Sequence, residues 1–478
     1  MKKNLLSALA LFSVLTASAE EQKVTLTTNL EVGKTMTILV NATRVGVTVN
    51  WGDGEEVPYT STSNGGVMEI TGTVKGEKVV ITAERGWKML AATDAGITNV
   101  DLTNASELRS LYLQDNAITT INVGNMAELR DLNLANNQLT AITLNSTKNP
   151  LIETLDLSNN PLTATSFIYG TANLRYLNLT GLNYNSLTLT KDTNLDALLV
   201  AENNLKTLSL SAPGNISLLD ARGNNLERIT MPTDGLPELQ QLLVDDNNLE
   251  TLDISASTEI NTLTLARNAV SKVTLPTKSK LQVYDCSENA LTFASLPRKS
   301  YIPSVYFDYS NQAQFDISGL NLNEGSWNSK WLPWLKMNPD YSNRGDAQYQ
   351  LDLSEHVAGS GSTSVVFEVI SVTPEGEKVL EKASATNKTL DYSFVSGKIT
   401  VLKEFPELYI RMTDSVYPDL EVKTSHFAVL DPTAEGIEEI IMDAENSNDT
   451  TVYDLQGRRT SNTSAKGIYI IGSKKVIR

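Results

Sequence analysis

Residues 108–144 read LRSLYLQDNAITTINVGNMAELRDLNLANNQLTAITL, and this stretch decides the fold. It contains the pattern L-x-x-L-x-L-x-x-N-x-L twice, with the second copy beginning 21 residues after the first. The pattern residues are Leu108, Leu111, Leu113, Asn116 and Ile118, then Leu129, Leu132, Leu134, Asn137 and Leu139. In L-x-L the two leucines point to one face of a short strand. The asparagine can satisfy backbone groups where the chain leaves the strand, so each copy predicts a strand followed by a turn.

The pattern continues on both sides of this stretch as an internal repeat. Eleven copies begin at residues 87, 108, 129, 152, 174, 195, 216, 239, 260, 281 and 302, with spacings of 21 to 23 residues. One copy cannot bury its own leucines, whereas a stack of copies can. The sequence therefore predicts a mainly β solenoid over residues 86–317, flanked by small β-sandwich-like domains.

Three copies lack the asparagine: Ala95 replaces it in the first, Leu182 in an internal one and Ser310 in the last. Irregular terminal copies are typical of solenoid caps, but Leu182 interrupts the predicted series of turns in the middle of the solenoid. Cys286 occupies the position that Leu113 and Leu134 hold in other copies. This position predicts a small buried hydrophobic side chain and not a nucleophile.

These repeats resemble the leucine-rich-repeat family, and the short, helix-poor segments between the strands are most similar to bacterial surface members such as internalins. The resemblance covers about residues 86–317.

The residues between the leucines of each strand are expected to face outward and to form columns across a concave sheet. Eleven strands about 4.8 Å apart give a face of roughly 50 Å, enough for a protein ligand or a long glycan. Tyr306 is assigned to the same column as Tyr112 and Leu243. The candidate binding residues are Tyr112, Tyr176, Leu199, Leu218, Asp220, Leu243, Asp245 and Tyr306.

Four of these residues are apolar or aromatic and fall on adjacent strands, where a solvent-facing sheet should be polar: Tyr176, Leu199, Leu218 and Leu243. With Asp220 and Asp245 around them, they predict an interface core with a polar rim. The alternative is that flanking domains or loops cover them.

The first nineteen residues have the features of a signal peptide. Lys2 and Lys3 are followed by an apolar run from Leu5 to Leu15, too short to span a bilayer, and by an Ala17-Ser18-Ala19 cleavage site. The alternative is a buried helix. No later apolar stretch has membrane-spanning length, so the sequence predicts an exported chain that starts at Glu20 and has no transmembrane segment.

Residues 20–85 have strand-like alternation and are expected to cap the solenoid. The predicted strands cover residues 23–27, 35–40, 46–51, 67–74 and 79–83. Trp51-Gly52-Asp53-Gly54 is similar to the W-G-D-G turn of polycystic-kidney-disease-type β-sandwich modules. A plain tight turn, in which Asp-Gly supplies a positive φ, explains the motif equally well.

Two segments follow the solenoid. Residues 318–345 contain Trp327, Trp331 and Trp334, which suit either a cap over the end of the solenoid or, if exposed, stacking against sugar rings. Residues 346–431 alternate again and predict a small antiparallel, immunoglobulin-like sandwich, either a spacer or a second binding module.

The C-terminal residues 432–478 carry a second resemblance. Residues 451–459 read TVYDLQGRR, residues 466–471 read KGIYII, and the chain ends KKVIR. These elements are similar to the type A sorting domain of the type IX secretion system of Bacteroidetes. The resemblance implies transfer across the outer membrane, removal of the domain and attachment to the cell surface. The alternative is a β-hairpin with a basic tail, and the Asn-Pro element typical of the family is missing upstream.

The composition and the absence of catalytic motifs limit the classes of function that the sequence predicts. The formal charge of −17 disfavours nucleic acid as a partner, and two histidines leave little for imidazole chemistry or a His-rich metal site. No hydrolase, P-loop, dinucleotide or D-x-D-x-D-G motif occurs, so neither an enzyme nor a cofactor is predicted. No metal site is assigned, and calcium, which needs only oxygen ligands, is the metal that the composition leaves open. Two functions remain: a secreted or cell-surface adhesin that binds a protein or glycan, host-derived or from a neighbouring cell, or a structural surface or biofilm component.

Overall fold

The computed structural model describes most of residues 22–310, with gaps at 43–45, 61–65, 84–86, 125, 145–146, 164–172, 188, 190–193, 211–214, 233, 293–294 and 297–305. It also describes residues 312, 349–353, 365–384, 391–395, 397–401, 403, 405–424, 426–429, 452–453, 468–471 and 474–477. The predicted signal peptide and the Trp327–Trp334 segment lie outside the described residues. Within the described part of the chain no helix is long and apolar enough to cross a membrane.

The N-terminal region forms six strands: β1 (Gln22–Thr28), β2 (Thr35–Ala42), β3 (Val47–Asn50), β4 (Glu56–Tyr59), β5 (Met68–Thr73) and β6 (Lys78–Ala83). All five strands predicted here are present, and β4 is an additional one. After β3, the Asn50 side chain accepts hydrogen bonds from the backbone of Gly52 and Gly54, both of which have positive φ. The W-G-D-G stretch is therefore a tight turn, and it holds Trp51 in the core.

Eleven short parallel strands form one sheet and confirm the predicted solenoid. In the ten three-residue strands the central side chain is turned towards the core and its two neighbours face outward, and in β7 Leu90 takes the central position between Met89 and Ala91. They are β7 (Trp87–Ala91), β9 (Ser110–Tyr112), β10 (Asp131–Asn133), β11 (Thr154–Asp156), β12 (Tyr176–Asn178), β13 (Ala197–Leu199), β15 (Leu218–Asp220), β17 (Gln241–Leu243), β19 (Thr262–Thr264), β21 (Val283–Asp285) and β22 (Tyr306–Asp308).

The opposite side of the solenoid carries less regular strands. β8 (Ile97–Asn104) belongs to the first copy, and four strands pair as two parallel couples: β14 (Thr207–Ser209) with β16 (Arg228–Thr230), and β18 (Thr251–Asp253) with β20 (Lys272–Thr274). The outward residues on this side are polar and exposed, for example Ser209 and Thr251.

The N-terminal strands are continuous with both sides of the solenoid. β2 pairs antiparallel with β7, and β5 pairs with β2, so the large sheet has thirteen strands. β1 pairs with β8 in a second sheet that also holds β3, β4 and β6. The cap and the solenoid consequently share one compact unit, residues 1–290 with 297–311.

The asparagines of the repeat form a ladder along the core, which we call the asparagine ladder. The Asn137 Oδ1 accepts the backbone N–H of Ile118 in the preceding copy at 2.9 Å. Its Nδ2 donates to the carbonyl oxygens of Leu113, Leu134 and Ala135 at 2.9 to 3.2 Å. The same arrangement recurs at Asn116, Asn160, Asn203, Asn224, Asn247, Asn268 and Asn289. Each amide thus satisfies backbone groups of two copies at once.

The copy with Leu182 keeps its place in the stack. Leu182 is buried as a core residue, and its backbone N–H donates to the Asn203 Oδ1 of the next copy at 3.2 Å. Cys286 is buried as predicted, and burial raises the pKa of its thiol.

The last copy begins two residues later than predicted, at residue 304 instead of 302. Tyr306 lies opposite Val283 and Asp308 lies opposite Asp285, so Tyr306 belongs to the other outward column. The residue at the asparagine position is accordingly Gln312 and not Ser310, and its Oε1 accepts the N–H of Leu291 at 2.9 Å. A shift of two residues preserves strand alternation, so the pattern alone did not distinguish the two registers.

A second compact unit comprises residues 291–296 and 312–478. Its central part forms two antiparallel sheets, as predicted, joined by stacking of Phe367 on Phe394 at 5.0 Å. The strands are β23 (Tyr349–Asp352), β24 (Val366–Thr373), β25 (Gly376–Val379), β26 (Tyr392–Val395), β27 (Lys398–Val401), β28 (Phe405–Asp414), β29 (Tyr417–Lys423) and β30 (Phe427–Val429). Near the C-terminus, β31 (Val452–Tyr453), β32 (Ile468–Ile471) and β33 (Lys474–Ile477) pair antiparallel.

Candidate binding face

The outward side chains of the thirteen-stranded sheet form a single surface, which we call the concave face. The first column is Met89, Ser110, Asp131, Thr154, Tyr176, Ala197, Leu218, Gln241, Thr262, Val283 and Tyr306. The second column is Ala91, Tyr112, Asn133, Asp156, Asn178, Leu199, Asp220, Leu243, Thr264, Asp285 and Asp308. Most of these side chains are half-buried against their neighbours.

The concave face extends beyond the repeats onto β2 and β5. Leu39 lies opposite Ala91 and Asn41 opposite Met89, so both are on the outward side of the sheet. Thr37 and Thr71 continue the surface, with their hydroxyl oxygens 3.0 Å apart. Thirteen strands make the face roughly 60 Å long. The sequence predicted both strands, but the repeat pattern did not assign them to this face because they lie outside the periodic segment.

Tyr176, Leu199, Leu218 and Leu243 lie on four successive strands of this face, and we call them the apolar centre. They alternate between the two columns, so they follow a zigzag across β12, β13, β15 and β17. All four side chains are half-buried and remain partly open to solvent. The structure therefore brings together the four residues that the sequence grouped.

The two predicted rim acids, Asp220 and Asp245, do not form an open rim. Asp220 is only 7% exposed and accepts two hydrogen bonds from the Arg222 guanidinium, at 2.9 and 2.7 Å. Asp245 is 8% exposed and accepts hydrogen bonds from the Thr264 hydroxyl and the Ala266 N–H. Burial raises the pKa of Asp245. Both carboxylates are therefore satisfied within the protein.

Asn and Asp side chains of the second column end the strands. Their Oδ1 atoms accept the backbone N–H of the residue two positions later, for example Asn133 with Ala135, Asp156 with Ser158 and Asp285 with Ser287, all at 3.0 Å. This is the local Asx turn, and asparagine makes it as well as aspartate does. The backbone therefore requires the carbonyl oxygen at these positions but not the charge.

Four carboxylates of the concave face have no ion-pair partner among the described residues: Asp131, Asp156, Asp285 and Asp308. Three tyrosines are near them. Burial and the charge of Asp131 raise the pKa of Tyr112, and burial and Asp156 do the same for Tyr176.

Tyr306 lies at the far end of the face and is 49% exposed. The charges of Asp285 and Asp308 raise its pKa, which identifies negative potential at this end.

Basic residues occur at one edge of the sheet, each beside an acid that lies close to the start of the next copy. Lys88 lies 3.8 Å from Glu107, Arg109 lies 3.4 Å from Glu128, and Arg175 lies 3.3 Å from Asp196. Arg130 and Glu153 form a further pair. These edge charges compensate one another, unlike the carboxylates on the face.

A second row of side chains lies beside the asparagine ladder, and it was not anticipated from the sequence. The residue before each ladder asparagine has a positive φ, including Asp115, Asn136, Asn159 and Asp246. Their side chains bond from copy to copy, as in the 2.7 Å bond from Asn136 Nδ2 to Asp115 Oδ1. The signal was present as Asp, Asn or Gly at that position in eight of the eleven copies, when the last copy is taken in its observed register. No group of three or more His, Cys, Asp or Glu side chains in the described part of the chain is arranged to hold a metal ion.

Repeated parallel strands, inward leucines and the asparagine ladder together define the architecture. The fold is a leucine-rich-repeat solenoid. No protein-family model matches the chain, and no curated protein does.

Similar solved structures include the functional domain of InlJ from Listeria monocytogenes, at 14% identity over 74% of this chain and 93% of that one, with a TM-score of 0.35. The internalin InlF of the same organism is 17% identical over 48% of this chain and 75% of its own, with a TM-score of 0.37. A leucine-rich-repeat protein of Leptospira interrogans is 18% identical over 44% and 68%, with a TM-score of 0.31.

Proposed function

We propose that this chain is an exported recognition protein that binds a protein or glycan partner on its concave face. The observation that carries the proposal is the face itself: thirteen strands present two columns of outward side chains that the leucine core does not use. The candidate contact residues are the apolar centre, Tyr112 and Tyr306.

The position of the apolar centre supports this function. Leu199, Leu218 and Leu243 face away from the core and are not fully buried. Covering partly exposed leucines releases water. Binding hot spots cluster near the centre of an interface and are enriched in tyrosine, which Tyr176 supplies beside the leucines.

Export to the outer-membrane cell surface forms part of the proposal. It rests on the leader residues 1–19 and on the sorting-like tail from about residue 432. Strands β31 to β33 coincide with the tail motif, and their antiparallel pairing agrees both with a sorting domain and with the simpler hairpin.

A structural role at the cell surface is the second candidate. The compensated ion pairs along the edge and the asparagine ladder join successive copies, which favours a stiff spacer. Specific, saturable binding to one class of partner separates recognition from this role.

The test uses the full chain against a panel of host matrix proteins and a glycan array. Leu199→Asp is expected to leave the solenoid folded by circular dichroism and to abolish any binding found. Ser209→Asp introduces the same charge on the opposite side of the solenoid, at an exposed residue of β14, and is expected to bind normally. Normal binding by folded Leu199→Asp would contradict the proposed site. Unfolding would indicate that another part of the chain covers the apolar centre.

A further inference from the structure

The two outward columns of the repeats have an uneven distribution of charge. Among their twenty-two residues are five aspartates and no lysine or arginine. Arg222 neutralises Asp220 near the apolar centre, so the uncompensated carboxylates lie on the two sides of that centre, and we call these two groups the acidic ends of the proposed site. One acidic end has Asp131 and Asp156, and the other has Asp285 and Asp308.

Each acidic end also contains tyrosine. Tyr112 and Tyr176 lie diagonally beside Asp131 and Asp156. At the opposite end, the Tyr306 hydroxyl lies 3.3 Å from the Asp308 Oδ2. An aromatic ring next to a carboxylate suits a guanidinium or ammonium group, because the ring face and the carboxylate both attract the cation.

The apolar centre lies between these two ends. From Asp156 on β11 to Asp285 on β21 there are six inter-strand steps, or about 29 Å. From Asp131 on β10 to Asp308 on β22 there are eight steps, or about 38 Å. An extended peptide spans these distances with about nine to twelve residues.

We propose that the concave face binds a protein partner through a segment that has an apolar middle and an arginine or lysine on each side, roughly 30–40 Å apart. This inference rests on the proposed function and specifies the partner's chemistry. The apolar middle contacts Leu199, Leu218 and Leu243, and each cation is held by a tyrosine and a carboxylate. An anionic glycan is excluded from this arrangement because its charges would face the aspartates.

The structure offers a substitution that removes charge and keeps the fold. Asp156 and Asp285 each use Oδ1 to accept a backbone N–H in an Asx turn. Asn133 and Asn178 make the same turn at the same position of other copies. Asp156→Asn with Asp285→Asn is therefore expected to leave the turns intact. The matched control is Glu227→Gln with Glu250→Gln, which removes two exposed charges beside β16 and β18 on the opposite side.

The experiment selects binders to the full chain from a displayed library of random sixteen-residue peptides. The enriched peptides are expected to carry Arg or Lys on both sides of an apolar middle. The dissociation constant of the best one should rise about tenfold or more in the Asp156→Asn, Asp285→Asn protein, the order expected for losing close charge pairs. The dissociation constant for the wild-type protein should also rise with salt concentration. The Glu227→Gln, Glu250→Gln protein should bind the peptide as wild type does.

Each of the other outcomes of this experiment would overturn a specific part of the proposal. Enrichment of acidic or neutral peptides, no enrichment, or equal loss in the control would refute the basic partner. If Leu199→Asp abolishes binding while the two Asp→Asn changes do not, the concave site stands and the charge assignment fails. If folded Leu199→Asp and the Asp→Asn protein both bind normally, the concave site itself is wrong.

Discussion

At the scale of single residues, the ladder amides add side-chain hydrogen bonds to the backbone pairing between neighbouring copies. Asn137 is 6% exposed and makes four hydrogen bonds, two of them to the preceding copy. Asn133, four residues earlier, is half-buried and bonds only locally, to Ala135. Asparagine therefore has two different structural roles within one repeat: one links neighbouring copies and the other closes a local turn.

Asn137→Ala is expected to lower the free energy of unfolding by about 3 kcal/mol, because buried backbone groups lose their partners. Asn133→Ala should cost about 0.5 kcal/mol, because water can replace the Asn133 oxygen as the acceptor for the Ala135 N–H. Chemical denaturation of both variants measures the difference. Equal effects would show that the ladder contributes nothing beyond the local turn.

The Asp245 carboxylate predicts a dependence on pH. Burial raises its pKa in the folded protein above the ordinary value, so charging it destabilises the fold as the pH rises through this range. Asp245→Asn removes that cost and can keep the acceptor for the Ala266 N–H. Its stability relative to wild type should therefore be higher at pH 7 than at pH 3. Unfolding curves at the two pH values test this. Asp253→Asn on β18 should change in the opposite direction, because hydrogen bonds from Ser255 lower the pKa of Asp253. If the free energies of unfolding of Asp245→Asn and wild type differ by the same amount at both pH values, the prediction is wrong.

At the scale of elements, the N-terminal strands are joined to the solenoid by pairing and by one aromatic contact. Trp51 is 3% exposed, donates from Nε1 to the Tyr59 hydroxyl at 3.2 Å, and packs against Gly72 of β5. A β-carbon at Gly72 would overlap the indole ring. The glycine is thus required by a close approach between the two N-terminal sheets.

Gly72→Ala is expected to destabilise the N-terminal sandwich by about 1–3 kcal/mol, the usual effect of overfilling a packed core. Thr71→Ala, at the adjacent and exposed position of the same strand, should have a smaller effect. Chemical denaturation followed by circular dichroism measures the free energy of unfolding of both variants. Unchanged stability in Gly72→Ala would mean that Trp51 moves aside at no cost.

At the scale of the whole molecule, the two termini predict processing. The mature surface protein is expected to lack Met1–Ala19, as a cleaved signal peptide implies, and the segment from about Gly436 onward, as the resemblance to a sorting domain implies. Mass spectrometry of protein released from the cell surface checks both ends. A surface protein that still ends in Arg478 would contradict the sorting assignment.

Several properties were determined by the sequence alone. The repeat period located all eleven parallel strands and their inward leucines, and only the last copy was displaced, by two residues. The four residues of the apolar centre were also grouped correctly, because residues one repeat apart become neighbours in a stack. Even the residue before each ladder asparagine carried a signal, in its preference for Asp, Asn and Gly.

The tertiary structure decided what periodicity does not encode. β2 and β5 extend the concave face through pairing between segments that are distant in sequence and share no repeat. Asp220 and Asp245, two acids expected at an open rim, are buried and bonded because Arg222, Thr264 and Ala266 lie beside them. The local pattern gives the direction of a side chain, but its burial and its partners depend on which neighbours the fold places around it.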